Sequence, residues 1–459
     1  MDAVNTWMLH LVEWLNHYLW DFILLFLLCG TGIYFTIRLR FVQVTRFRDC
    51  FKGVFGSIKK SGQKGEGGIS SFQSLMTAIA AQVGTGNLAG AASAIVSGGP
   101  GAIFWMWLSA FFGMATIFAE ATLSQQHRKE ADGQVTGGPV YYIRYAFQGR
   151  FGKILAGIFA VLVVCALGFM GNMVQSNAIG NAFNTAFNIH PLITGLIAGA
   201  IALFIFRGGL HRIVAVTEKL VPFMAILYIG GSLVVLGMNF SHLGEAFRQI
   251  FVGAFNPQAV VGGVVGISVR ESIRYGVARG LFSNEAGMGS TPHAHAVAKV
   301  KHPCDQGIVA MMGVFIDTFI ILTLTALVLI SSGIGGYGEG AVTGIEFTQA
   351  AFSHSLGGFG NIFVAVCLLF FAFSTIIGWY FFGEANIKYL FGQKAVKFYA
   401  VIVAVFIVLG SVMKVDLVWE LSDCFNGLMV IPNLIGLLAL SPAVVKAYQS
   451  YLENKQREK

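Results

Sequence analysis

An all-α protein that crosses a lipid bilayer many times is the fold class this sequence predicts, on three observations. Of its 459 residues, 56% are hydrophobic and only 11% are charged. A soluble domain carries about 25% charged residues, so the polar surface that water requires is missing. Apolar runs of about 20 residues, the length that crosses a hydrocarbon core, recur along the whole chain, and mean hydropathy is +0.71. Between those runs, Lys and Arg gather in every second loop, as cytoplasmic loops do.

Eleven spans follow in order: 18–38, 70–97, 101–126, 152–185, 190–206, 213–238, 260–298, 306–332, 358–388, 397–413 and 424–446. The first ends in a basic stretch (Arg38, Arg40, Arg46, Arg48, Lys52, Lys59, Lys60, Lys64), which places that loop inside. Alternation then puts four further groups inside: Arg128, Lys129, Arg144, Arg150 and Lys153; Arg207, Arg212 and Lys219; Lys299 and Lys301; Lys388, Lys394 and Lys397. The tail, with Lys446, Lys455, Arg457 and Lys459, also falls inside, whereas the opposite loops hold only Arg248 and Lys414. The N-terminus is therefore expected outside and the C-terminus inside.

Eleven spans divide as one plus five plus five, and the two sets of five enter from opposite sides, as inverted repeats must. The expected organisation is a first helix with its basic loop (1–69), one five-helix repeat (70–238), an extracellular connector with the second repeat (239–446), and a cytoplasmic tail (447–459). Each repeat opens on a glycine-interrupted helix, with Gly84, Gly86 and Gly90 in the first and Gly276, Gly280, Gly287 and Gly289 in the second. Such paired interruptions point to a central binding site.

The formal charge of +8 invites a nucleic-acid reading, but its confinement to short loops argues for anionic lipid instead. Six cysteines without paired spacing imply neither a disulfide framework nor a zinc site, and His293 and His295, two apart, lack a zinc-helix spacing. The first 20 residues show no basic n-region of a cleavable signal. A channel would need a repeated filter and an intramembrane enzyme a nucleophile–base constellation; neither is legible.

Gly84-Thr85-Gly86-Asn87-Leu88-Ala89 spells a dinucleotide turn. The preceding Ser74–Ala81 is small-residue and helical rather than a strand, and no carboxylate follows before Glu120, so the nucleotide reading fails. A helix that unwinds within the membrane must instead line a cavity or a solute. Its freed N–H groups around Thr85–Asn87 suit a carboxylate, and its freed carbonyls suit a sodium ion.

Longer blocks then become recognisable: Val83–Asn87, Gly98–Trp107, Gly113-Met114-Ala115 with Glu120, Gly276–Gly287, and Gly378-Trp379 with Gly383-Glu384. In these the chain resembles the alanine-or-glycine:cation symporter family over nearly its whole length. The resemblance implies a LeuT-like 5+5 fold behind one extra helix, in a multi-pass protein of the bacterial inner membrane. It implies sodium-coupled import of alanine or glycine, and since nothing in the sequence indicates an oligomer or an organic cofactor, a monomer without one is expected. Glutamine transport and proton coupling stand as alternatives.

Several residues carry these expectations. Ser374 and Thr375 are adjacent hydroxyls in mid-span, fit to complete a sodium shell or merely to bond back to their own helix. The resemblance adds the carbonyls of Ala80, Val83 and Phe371 to that shell. Asp317 is an isolated carboxylate within its span, holding a second cation with Asn87, titrating during transport, or pairing with Arg270, Arg274 or Arg279. Glu120, Glu285 and Glu384 are expected in ion pairs of an inner gate, with His127, Arg128, Lys388 and Arg279 as partners. Arg270 and Arg274 are expected on one face towards an outer vestibule. Substrate contacts are expected from Thr85, Gly86, Asn87 and Gln175. Its ammonium should meet carbonyls at a Gly276–Gly280 break, with Phe282 and Trp379 as pocket walls.

Overall fold

The computed structural model describes residues 2–58, 69–131, 134–261, 267–334, 336–338, 341–342, 344–413 and 416–457. Lys59, Lys60, Lys64, Lys414 and Lys459, which entered the orientation, lie outside the described residues. Among the described residues, eight helices are long and apolar enough to cross a membrane, or nine if one sharply bent pair is a single span.

The first helix, α1 (Trp7–Arg38), starts well before the expected residue 18. A short amphipathic helix follows, α2 (Phe47–Ile58). The bent pair is α3 (Ser71–Gln82) and α4 (Gly86–Gly98), whose axes differ by 50°. Next come α5 (Ala102–Gln126), the hairpin β1 (Lys129–Ala131) and β2 (Gln134–Thr136), paired antiparallel, and α6 (Pro139–Ala146). Then α7 (Gly149–Phe187), α8 (Pro191–Phe206) and α9 (Gly209–Met238) close the first set.

The connector contains α10 (Leu243–Phe255). The second interrupted element is α11 (Val269–Asn284), an irregular stretch, and the one-turn α12 (Pro292–Ala296). The remaining elements are α13 (Pro303–Ser331), α14 (Gly344–Leu356), α15 (Gly358–Phe391) and α16 (Gln393–Val412), α17 (Asp416–Ala439) and α18 (Ser441–Arg457). The span expected at 260–298 is interrupted after Asn284, and the tail boundary expected at 446 falls inside α18, because the helix runs on past Lys446 into polar sequence.

Burial follows a gradient from inside out. Every residue from Ser74 to Ala92 is buried, an environment that leaves polar groups no partner but protein. By contrast α8, α9 and α16 expose large apolar side chains, among them Ile197, Phe204, Ile226, Leu233, Phe398 and Val405, as helices facing lipid tails do. The broken α3–α4 pair runs through the centre, with α3 packed on α9 and α15 and α4 on α11. Helix α5 supports both broken elements, packing against α11 and α13.

Candidate functional site

The first break begins from a well-capped helix. Ser70 and Gln73 form a capping box, Gln73 N donating to Ser70 Oγ at 3.1 Å and Ser70 N to Gln73 Oε1 at 3.0 Å. Helix α3 stops at Gln82, Val83 is extended (φ −83°, ψ 93°), and helical geometry resumes at Gly86. That releases the carbonyls at the end of α3 towards α15.

Five oxygens converge there. Ser374 Oγ lies 3.2 Å from Ala80 O and 2.8 Å from Phe371 O. Thr375 Oγ1 lies 3.1 Å from Ala80 O, 3.4 Å from Val83 O and 3.0 Å from Phe371 O. Both hydroxyls bond back to their own helix, as one of the two alternatives read from the sequence has it, and also reach across to the broken one. All five residues are buried, and an all-oxygen cluster of this kind suits a hard cation.

On the other side of the break, backbone donors face carboxamide oxygens. Gly84 N donates to Asn87 Oδ1 at 3.0 Å and Thr85 N to Gln175 Oε1 at 3.3 Å, while Gln175 Nε2 donates to Thr85 Oγ1 at 2.9 Å. These backbone amides are thus each held by a carboxamide oxygen. Asn172 and Asn177 do not join them: Asn172 bonds back to Gly168 O and Asn177 to Gly410 O and Met413 O. Local π-helical turns at Gly86–Gly90, Val164–Gly171 and Phe315–Leu322 adjoin Asn87, Gln175 and Asp317, a geometry common at functional sites.

Asp317 joins the two broken elements. Its Oδ1 accepts from Asn87 Nδ2 at 2.7 Å and from Ser283 Oγ at 2.9 Å, and its Oδ2 accepts from Thr318 Oγ1 at 2.8 Å. These donors are all neutral. The arginines offered as partners are engaged elsewhere: Arg279 pairs with Asp423 at 3.0 Å, Arg270 sits 5.5 Å over the Phe22 ring, and Arg274 sits 5.1 Å over Tyr275. Arg270 and Arg274 line a shallow cavity together with Leu25 and Ile273, and Arg274 also lines the larger cavity described below.

The second break lies later than expected. Helix α11 is continuous through Gly276 and Gly280. A Cβ on Gly276 would meet Ala102 O at 2.4 Å, and one on Gly280 would meet Ser109 Oγ at 2.9 Å, so these glycines admit α5 at close range rather than unwinding the helix. They do not form a break that could offer carbonyls to an ammonium. The chain leaves the helix at Glu285 (φ 57°) and turns through Gly287 (φ 88°) and Gly289 (φ 78°), left-handed conformations that glycine adopts without strain.

Among the described residues, Glu120 and Glu285 have no ion-pair partner of the kind expected; they hold this second break. Glu120 accepts from Gly287 N at 3.1 Å, Gly289 N at 3.0 Å and Asn433 Nδ2 at 2.6 Å. Asn433 in turn donates to Gly287 O at 2.9 Å. Glu285 accepts from Ser290 Oγ and from the Trp379 indole, and Gln82 donates to Asn284 O at 2.7 Å. Glu384 does form an ion pair, with Lys388 at 2.6 Å on its own helix. Each charge-assisted bond contributes about 1.5–3 kcal/mol. Glu120→Ala, which strands two backbone amides, is therefore expected to lower the melting temperature by roughly 5 °C or more, with Glu120→Gln intermediate. An unchanged melting curve would remove this role.

Phe282 and Trp379 meet edge to face with ring centres 6.2 Å apart, and Phe282 also packs on Trp419 at 5.9 Å. Beyond them opens a cavity of about 780 Å³, lined by Ser93 of α4, Asn181 of α7, Arg279 of α11 and Trp419 and Asp423 of α17. The first helix reaches into it. Asn16 Nδ2 donates to Glu420 O and Oε2 at 2.8 and 2.6 Å, and Trp20 Nε1 to Asp423 O at 3.3 Å. At the opposite end, Ser124 Oγ donates to Pro292 O at 2.8 Å, and Gln125 Nε2 and Arg128 Nη1 donate to Ala298 O at 2.9 and 2.7 Å. The polar centre is closed on both sides, with Thr85, Asn87, Asp317, Ser374 and Thr375 fully buried.

The sequence reading missed Asp423, Asn433 and Asn16. Asp423 stood one residue outside its expected span, and its partner Arg279 is 144 residues away.

Two broken helices crossing at a buried polar centre, within a bundle of membrane-length helices, define a transporter of the LeuT-like fold. The fold is similar to that of MhsT, solved with L-phenylalanine, at a TM-score of 0.57 and 16% identity, covering 84% of this chain and 98% of that one. The chain belongs to the sodium:alanine symporter family, whose model matches residues 5–459. It is 43% identical to the sodium/alanine symporter AgcS of Methanococcus maripaludis, over 100% of this chain and 99% of that protein. It is 40% identical to the probable sodium/glutamine symporter GlnT of Bacillus subtilis, over 98% and 92% respectively. The protein is thus a multi-pass membrane symporter and not an enzyme.

Proposed function

We propose that the chain imports a small neutral amino acid, alanine or glycine, together with sodium, by alternating access. The observation that carries this reading is the convergence of the Ala80, Val83 and Phe371 carbonyls with the Ser374 and Thr375 hydroxyls. Sodium takes that cluster. The amino acid's carboxylate displaces the carboxamide oxygens from the amides of Gly84 and Thr85, beside Gly86 and Asn87. Its ammonium takes the negative end of α11, where the helix stops at Asn284. Phe282 and Trp379 limit side-chain size, which favours alanine and glycine over the glutamine in a relative's name.

Asp317 is a buried carboxylate whose hydrogen-bond donors are all neutral, and in this reading a second cation sits beside it with Asn87 and Ser283. Asp317→Asn keeps the hydrogen-bonding shape without the charge. It is expected to lower the number of sodium ions carried per alanine, read from the reversal potential of alanine currents. An unchanged ratio would leave Asp317 a structural role.

The crossings number eleven in this reading: the nine of membrane length, with α8 and the α11–α12 pair. The N-terminus lies outside and the C-terminus inside, in two inverted sets of five behind α1, as a monomer. The 780 Å³ cavity is then the outer vestibule. Its closure is the Arg279–Asp423 pair, held in place by Asn16 and Trp20 of the extra helix. Uptake of labelled alanine into proteoliposomes tests the reading. An inward sodium gradient should drive accumulation and a proton gradient alone should not; the reverse would make the carrier proton-coupled.

A further inference from the structure

A second cavity, of about 730 Å³, lies at the opposite end of the broken helices. Five cations line it: Lys52 of α2, Lys299 and Lys301 after α12, and Lys455 and Arg457 of α18. Two carboxylates share the lining, and both are engaged. Asp49 lies 3.4 Å from Arg46, and Asp305 Oδ2 accepts from His302 N at 3.1 Å. His302 adds a neutral donor. Its partial burial holds its pKa below the usual imidazole value, and its Nδ1 accepts from Cys304 N at 3.2 Å, which leaves the ring proton on Nε2.

The surroundings select the kind of anion. In the stretch that leads into the cavity-lining Asp49 and Lys52, Phe41, Val44 and Phe51 expose apolar side chains, with relative exposures of 49%, 59% and 40%. Arg40, Arg48 and Lys52 are exposed on the same short stretch. Outward apolar groups interleaved with cations are the chemistry of a helix lying in a membrane interface. A freely soluble anion would have no use for that apolar rim. The wall also includes Ser70 and Ser71, next to the point where Ile69 pairs with Ala298 and accepts from Lys299 N at 2.9 Å. The cavity therefore touches the ends of both broken elements as well as α2 and α18.

We propose that this cavity binds the phosphodiester headgroup of an acidic phospholipid, its acyl chains lying along the exposed apolar side chains of residues 41–51. The bound headgroup bridges α2 and α18 to the ends of the two broken helices, where the inner side of the transporter is closed. That the leaflet is the inner one rests on the orientation proposed above. Lipid retention reads the site irrespective of orientation, so the two readings fail separately.

The test is native mass spectrometry of the full chain titrated with phosphatidylglycerol against a phosphatidylcholine background. We expect selective retention of phosphatidylglycerol that millimolar inorganic phosphate does not displace. The triple variant Lys52→Gln, Lys301→Gln, Arg457→Gln should weaken it roughly a hundredfold, at about one interfacial charge contact per residue. Lys52→Arg with Lys301→Arg should retain it. Sodium-dependent thermal stabilisation of the triple variant, measured in phosphatidylcholine nanodiscs, shows that it is folded. Equal retention by the triple variant would overturn the proposal, and so would displacement of the lipid by inorganic phosphate.

Discussion

Replacing Ser374 and Thr375 together by alanine is expected to abolish sodium-dependent amino-acid binding in a protein that still folds. Neither hydroxyl anchors a helix end. Both sit inside α15, and both touch Ala80 O and Phe371 O. Without them the broken helix faces apolar methyl groups, and a sodium ion there keeps only the carbonyl ligands of the cluster. Bonds to a charged partner contribute about 1.5–3 kcal/mol each, so losing both should weaken sodium binding by roughly a hundredfold or more. Thr375→Ser keeps the oxygen and should stay close to the parent. Calorimetric sodium titration distinguishes these outcomes, and an unchanged sodium affinity in the double variant would sink the assignment.

A comparably large loss is expected from adding single carbons at the first break. A Cβ on Gly84 would stand 2.4 Å from Thr375 Oγ1 and 3.3 Å from Gln175 Oε1. Gly84→Ala therefore intrudes on the proposed sodium cluster and the proposed carboxylate cradle at once. A Cβ on Gly86 would lie 3.1 Å from Ser283 Cα and 3.4 Å from Phe282 Cδ1. Gly86→Val would force α4 away from α11, the two elements that Asp317 joins. Overpacking costs about 1–3 kcal/mol per site, which is roughly a five- to hundredfold loss of alanine affinity. Alanine titration of each variant at saturating sodium measures it. Near-normal affinity would mean that the substrate does not approach this backbone.

The legible parts of the site were those in which one residue type has one purpose. Adjacent hydroxyls in mid-span and a glycine-rich interruption after small residues were each legible alone, while the resemblance brought α3 and α15 together and supplied the carbonyls. Glycines of α11 were harder to read, because the same residue serves two physical needs. Gly276 and Gly280 let α5 approach, whereas Gly287 and Gly289 turn the chain at positive φ, and composition does not separate the two. Glu120 was misread because its partners are backbone amides of Gly287 and Gly289, which no side-chain pattern reveals. Asp317 was conspicuous as an isolated carboxylate, but its neutral partners Asn87, Ser283 and Thr318 came together only through the crossing of the broken helices.

The central claim is that sodium and the amino acid share one broken helix and so bind cooperatively. Linkage requires the coupling to be reciprocal. Alanine titrated calorimetrically across a range of sodium concentrations, with sodium titrated in turn across a range of alanine, tests this most directly. The account predicts that each ligand raises the other's affinity by the same factor, and that Ser374→Ala with Thr375→Ala removes the effect on alanine. An alanine affinity independent of sodium in the parent protein would contradict it.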